Sequence, residues 1–403
     1  MGRYCIAMLL GALLFAQPLA PETLLLGRIR YYMLETLRQI PNYTCLETIE
    51  RMVRHPSSKR AVLVDALRLE VAVVDGKELF SWPGERQFQE RELRELAPSG
   101  AIGNGNFALH AKSVFGGSYV LFTYKGKEAQ NGREIVRFDY SVPQNFSGYH
   151  IRVGDAQAVV KYHGHVLVDV DTLDLITLVV IADEDLPPEL MLRRTSDTMH
   201  YARQRIGERE FLLPVSSEMI MVDQKGGENR NRVTFSACRQ YSGESTLSFA
   251  EPDLSGPSPN PTVPTAAGME LPPDRGISVS LDNTYHLENG ATGDLLTFTV
   301  RHDLKHRKEI LLPKGAKLRM RVGAIVQRPG GGYSARLALK PVEVEFDGHA
   351  FAIRAMIEDS GSLAVGSQYK LDRAWQQRPA MIYLRAIPPH IPRGFILELR
   401  TER

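Results

Sequence analysis

The sequence predicts a mainly β protein: a curved antiparallel sheet with a leading helix and helical insertions, followed by a small β-barrel or sandwich domain. Three observations carry this. Apolar and polar residues alternate along residues 155–174, with Val159, Lys161, His163 and His165 on one side and Val160, Tyr162 and Val166 on the other. That period of two marks a half-buried strand. Similar short segments, closed by glycine turns, recur to the end of the chain, and only residues 21–40 show a long helical spacing.

Residues 1–20 read as a secretory signal: Arg3, an apolar run over 6–15, and a small-residue zone from Ala16 to Ala20. Cleavage after Ala16 or Ala20, or retention as an uncleaved anchor, are all compatible with the pattern. No later segment is apolar enough for a membrane span. The expected location is therefore periplasmic or extracellular.

Residues 21–249 form the predicted first domain. Leu24, Leu25, Ile29, Met33, Leu37 and Ile40 recur at helical spacing behind Pro21, and Pro41 ends the helix. Strands are expected over 43–53, 61–74 and 78–82, with Asp75-Gly76 as a hairpin turn. The pattern then breaks: 90–96 is a charged helix or loop, 100–105 a glycine hinge, and 106–115 a helix. Strands resume over 119–124, 134–140, 157–162, 165–169, 175–182, 198–206, 211–222 and 230–241.

Prolines at 252, 257, 259, 261, 264, 272 and 273 make 250–274 a stiff linker. The second domain, 275–403, has strand segments over 277–281, 295–301, 309–312, 317–327, 333–346, 349–358, 380–385 and 395–401. Glycine turns between short strands imply a small barrel or sandwich.

Composition narrows the function classes. The chain of 403 residues is 43% hydrophobic and 24% charged, which is ordinary for two globular domains. A net charge of +2 argues against a dedicated nucleic-acid binder. Cys5 lies in the signal, leaving Cys45 and Cys238. An oxidising compartment favours a disulfide between them, worth about 4 kcal/mol by chain entropy, against two separate buried thiols.

Few residues suggest chemistry. His163 and His165 share a strand face, but a metal needs a third ligand from elsewhere, and none is marked. Asp183, Glu184 and Asp185 lack the ordered spacing of a calcium loop. Gly-x-Ser-x-Gly and His-Glu-x-x-His are absent, and the glycines at 100–105 lack a phosphate-loop ending. No catalytic residue, metal or cofactor is assigned. Cations outnumber Asp303 and Glu309 over 301–340, and Lys317, Arg319 and Arg321 alternate with apolar residues. They are the candidate patch for an anionic envelope surface, or else solubilising edge charge.

Two resemblances follow. The leading helix, the long meander, the stretch Val168-Asp169-x-Asp171-Thr172-Leu173 and Phe211-Leu212-Leu213-Pro214 resemble the periplasmic lipoprotein-carrier (LolA-like) family. That resemblance implies a curved sheet cupping a greasy ligand beneath helices. Gly293-Asp294 and Leu311-Leu312-Pro313-Lys314-Gly315-Ala316 before a strand resemble the barrel domain of the TrbI-like component of type IV secretion channels. The whole chain is similar to exported two-domain bacterial envelope proteins. The expected function is non-enzymatic binding of a lipid or lipid-modified partner in an apolar groove. Val159, Leu167, Leu178, Val180, Phe107 and Phe115 are its candidate lining. A secreted hydrolase and an assembly module are the alternatives.

Overall fold

The computed structural model describes residues 19–74, 77–85, 88, 109–153, 156–241, 271–307, 309–328, 334–359, 381–385 and 390–402. The apolar run of the signal, the segments 90–96 and 100–105, Phe107 and nearly all of the linker lie outside them.

Helix α1 (Pro21–Gln39) starts on its proline and buries Ile29 and Met33; Ile40, before Pro41, is extended. Next come β1 (Tyr43–Arg54), β2 (Val62–Val74), β3 (Lys77–Ser81) and helix α2 (Leu109–Gly116). The meander continues with β4 (Leu121–Gln130), β5 (Arg133–Val142), β6 (His150–Val153), β7 (Ala156–Val159), β8 (Tyr162–Asp169) and β9 (Leu175–Ala182). The long strands β10 (Leu192–Ile206), β11 (Arg209–Asp223) and β12 (Glu228–Gln240) complete it.

Ten of these strands form one curled antiparallel sheet, ordered β3-β2-β1-β12-β11-β10-β9-β8-β5-β4. The N-terminal hairpins thus return to pair with the last strand. Asn131 and Gly132, both at positive φ, make the tight β4–β5 turn. The expected strands 157–162 and 165–169 are divided differently. The break comes before Tyr162, where the Val160 N–H turns aside to Tyr149 O (3.1 Å), and β7 pairs with β6 as a separate ribbon.

Cys45 and Cys238 are disulfide-bonded, joining β1 to β12 where the register shifts between Thr44 and Leu46. The bond ties residues 193 apart in sequence.

The second sheet contains β13 (Gly276–Leu281), β15 (Leu295–Val300), β18 (Lys317–Arg328), β19 (Ser334–Phe346), β20 (His349–Ala352), β21 (Ala355–Asp359), β22 (Met381–Arg385) and β24 (Ile396–Thr401). Two short ribbons flank it, β14 (Tyr285–His286) with β23 (His390–Ile391) and β16 (Leu304–His306) with β17 (Glu309–Leu312). A single apolar core including Val279, Phe298, Leu318, Met320 and Leu397 fills this part. The expected strand 349–358 is two strands, because Ile353 and Arg354 leave the ladder.

The two sheets touch through β2 and the turn before β15. Arg68 N donates to Thr292 O (2.7 Å) and Thr292 N to Ala66 O (2.8 Å), a two-bond parallel ladder. The Arg68 guanidinium pairs with Asp294, whose other oxygen accepts Tyr285 OH (2.7 Å) and Ala291 N (2.9 Å). Arg321 reaches across to Pro83 O (2.9 Å) and Gly293 O (3.1 Å), with Trp82 beside it. Gly293 stands at φ +103°, and a Cβ there would meet Arg68 O at 2.1 Å. Only glycine permits this approach.

Two expectations follow. Replacing both Cys45 and Cys238 with Ala should lower stability by up to about 5 kcal/mol for a loop this long, read as a shifted urea midpoint. Arg321→Ala strands two carbonyls at the junction and should cost about 3 kcal/mol. Calorimetry should then resolve separate unfolding of the two sheets; an unchanged transition would contradict their coupling.

Candidate functional site

The inner face of the first sheet is built by strand parity. Phe138 and Tyr140 of β5, Val166 of β8, Leu178 and Val180 of β9, Met199 of β10 and Met219 of β11 share one core. Ladder partners keep them on one side: Tyr140 opposite Gly164, Gly164 opposite Val180, and Val180 opposite Asp197. Gly164 has a steric reason. A Cβ there would fall 1.8 Å from Val179 O, the atom to which Tyr140 OH donates (2.8 Å).

Two helices cover this face. Ile29 and Met33 of α1, with Ala111, Val114 and Phe115 of α2, complete the core. Arg30 fastens one helix to the other, donating to Phe115 O (3.2 Å) and Gly117 O (3.0 Å) at the end of α2, where helical carbonyls lack partners. A second clasp holds α1 to the sheet. Tyr32 OH donates to Asp174 Oδ1 (2.7 Å), while Arg203 donates to both Asp174 oxygens (2.8 and 2.9 Å) and to Tyr32 (2.6 Å). Asp169 prepares the turn that presents Asp174, accepting the N–H groups of Asp171 and Thr172 (2.9 and 3.1 Å). This gives the Asp169-x-Asp171-Thr172-Leu173 stretch its structural reason.

Below Tyr32 and Arg203 an open cleft of about 540 Å³ runs between α1 and the β10–β11 hairpin. Tyr32, Glu35, Thr36 and Gln39 line one wall, and Arg203, Arg209, Glu210, Phe211 and Leu212 the other. No motif announced these residues. The available signal was Tyr32, Thr36 and Gln39 recurring at helical spacing beside the apolar stripe.

The sheet interior is not wholly apolar. Among the described residues, Glu47 Oε2, Asp197 Oδ1 and Tyr201 OH are buried without a hydrogen-bond partner. Burial, then the neighbouring Glu78, pushes the Glu47 carboxyl up to about 8. Burial alone pushes Asp197 up to about 7 and the His110 imidazole down to about 4. Glu47 and His110 therefore sit largely uncharged near neutral pH, while Asp197 titrates there.

The expected groove residues do not all meet. Leu178, Val180 and Phe115 lie in the covered core. Leu167 is on the opposite face with His163 and His165, paired to Arg137 and Thr177, and Val159 sits in the β6–β7 ribbon. Consecutive strand positions alternate faces, so Leu167 does not share a surface with Val166 and Leu178. Phe107 lies outside the described residues.

The residues of the expected anion patch have acidic or carbonyl neighbours. Lys317, Arg319 and Arg321 do project from one strand side. However, Lys317 pairs with Asp282 (2.8 Å), Arg319 with Glu343 and Glu345 (2.9 Å each), and Arg321 is buried at the junction. Their acidic partners lie outside the 301–340 window over which charge was counted. On the outer face, His163, Asp183 and Glu184 gather as the sequence did not foresee, His163 Nε2 lying 2.9 Å from Asp183. Lys161 already pairs with Glu184 (3.0 Å) and Asp185 (2.7 Å), which weakens the cluster as a cation site.

A curled antiparallel sheet with helices on its inner face has the build of a cup. No protein family and no curated protein matches the chain. Among solved structures it is similar to a DUF1329 family protein from Desulfovibrio piger, at 10% identity and a TM-score of 0.32 over 56% of this chain and 96% of that one. It is also similar to a putative outer membrane lipoprotein-sorting protein domain from Vibrio parahaemolyticus, at 11% identity and a TM-score of 0.30 over 54% and 93%. A LolA superfamily protein from Nitrosomonas europaea matches at 11% identity and a TM-score of 0.27 over 53% and 94%. Scores this low mark a distant likeness over about half the chain and identify neither ligand nor activity.

The buried acids predict a pH dependence. From roughly pH 4 up to about 7 for Asp197 and about 8 for Glu47, the folded chain holds protons that the unfolded chain has released, so stability falls as pH rises. Glu47→Gln should remove on the order of 3 kcal/mol of that fall, measured by urea unfolding at about pH 5 and about pH 8. Equal slopes in wild type and variant would contradict it.

Proposed function

We propose that the protein is an exported, non-enzymatic envelope protein that takes an acyl chain, on a lipid or a lipid-modified partner, between the inner face of the first sheet and its covering helices. The observation that carries this reading is the way α1 and α2 are held. Their contact with the sheet is apolar, through Ile29, Met33, Val114 and Phe115, while the polar fasteners Arg30 and Tyr32–Asp174–Arg203 sit at its margin. Loosening the fasteners exposes an apolar concave surface of the kind that acyl chains bury, at about 25 cal/mol per Å².

Among the described residues no helix is long and apolar enough to cross a membrane. The signal read over residues 1–20 and the Cys45–Cys238 bond are both in keeping with export. The second sheet is assigned to holding the first through Arg68 and Arg321. An anionic-surface role for Lys317 and Arg319 is not carried forward, since both are already paired.

Lipid extraction and mass spectrometry of protein purified from envelopes should recover bound lipid. A long-chain fluorescent fatty acid should bind the purified protein, and Arg30→Gln should tighten that binding by about tenfold, because the closed state then competes less well. No probe binding by either form, together with no co-extracted lipid, would overturn the reading.

A further inference from the structure

We infer that the cleft between α1 and the β10–β11 hairpin holds a zwitterionic head of the phosphate–ammonium type; this deepens the proposed function and rests on it. The cleft of about 540 Å³ falls within the usual size of small-ligand sites. Its lining carries both signs, Arg209 against Glu35 and Glu210, while Arg203 is already held by Asp174. A simple anion would leave the carboxylates unanswered and a simple cation would leave Arg209 unanswered, whereas a zwitterion answers both signs.

The two ends are distinguishable. Arg203 is held in place by Asp174 and Tyr32, so its fork is oriented before any ligand arrives. The Arg209 side chain, exposed on the hairpin, makes no hydrogen bond or ion pair among the described residues and is the cation available to a phosphate. The opposite wall is the last turn of α1, around Glu35, Thr36 and Gln39. Unpartnered carbonyls and the negative end of the helix dipole favour an ammonium there, in addition to Glu35. Among the described residues Glu35 pairs with the exposed Arg38 (2.8 Å), a contact of little worth.

The floor makes the ligand amphiphilic. Leu212 belongs to the core shared with Met33 and Met199, whereas Phe211 packs against the neighbouring core of Tyr43, Leu69 and Leu213. The cleft therefore opens over the seam between two apolar cores. A head bound at Arg209 directs its tail towards that seam, beneath α1.

Calorimetric titration of the full chain with phosphoethanolamine, inorganic phosphate and ethanolamine tests the head, and short-chain phosphatidylethanolamine tests its source. The expected order is short-chain lipid tightest, then phosphoethanolamine, with phosphate and ethanolamine each at least about tenfold weaker. Arg209→Ala and Glu35→Gln should each weaken phosphoethanolamine by about tenfold while leaving the melting temperature unchanged. Equal binding of phosphate and phosphoethanolamine, or indifference to both substitutions, would overturn the zwitterion site. Equal affinity for free and lipid-borne heads would overturn the amphiphile and leave a free zwitterion as the ligand. If the fatty-acid probe binds and no head group does, only the cleft fails; the reverse result sinks the acyl-chain reading alone.

Discussion

The first sheet depends on keeping its inner face from water. Alternation places an apolar side chain inward at every second position, and a curled sheet cannot cover that face with its own strands. Five fully buried side chains from α1 and α2 do so: Ile29, Met33, Ala111, Val114 and Phe115. Burying a large aliphatic or aromatic side chain contributes about 1.5–3 kcal/mol, so the cover is worth on the order of 10 kcal/mol. An acyl chain of about sixteen carbons gains a similar amount at roughly 0.8 kcal/mol per methylene. The two are near enough in size for the marginal clasps at Arg30 and Asp174 to decide between a closed and an occupied cup.

The junction with the second sheet works by different physics. There the chain brings backbones together rather than apolar faces, with a two-bond ladder and two arginines answering carbonyls and a carboxylate. Arg319 and Arg321 show how local the outcome is. They stand two residues apart on β18, yet one lies at the surface between Glu343 and Glu345 while the other is buried against Pro83, Gly293 and Trp82. The inner face meanwhile holds Glu47 and Asp197 with raised pKa values, since burial makes ionisation the costlier state. The same strands thus combine apolar cover with groups that penalise a rise in pH.

Much of the architecture was legible in the chain. Period-two alternation located most strands of both sheets, and Pro21 and Pro41 bracketed α1 almost to the residue. The lone cysteine pair indicated the β1–β12 bond. The candidate site was less legible. Leu178 and Val180 lie in the inner-face core, but Leu167 was grouped with them despite opposite parity, and the cations of β18 were counted without Asp282, Glu343 and Glu345. Tyr32, Asp174 and Arg203 converge from α1, a turn and β10, and no spacing in the chain announces such a meeting.

By itself, then, the sequence determined which residues are strand, which are helix and which faces are apolar, because those follow from local sterics and the two periods of the backbone. Tertiary structure alone decided which strand returns to pair with β12, what covers the inner face, and which charges are answered. Those outcomes depend on contacts between residues far apart in the chain, where register and burial rather than local pattern set the energy.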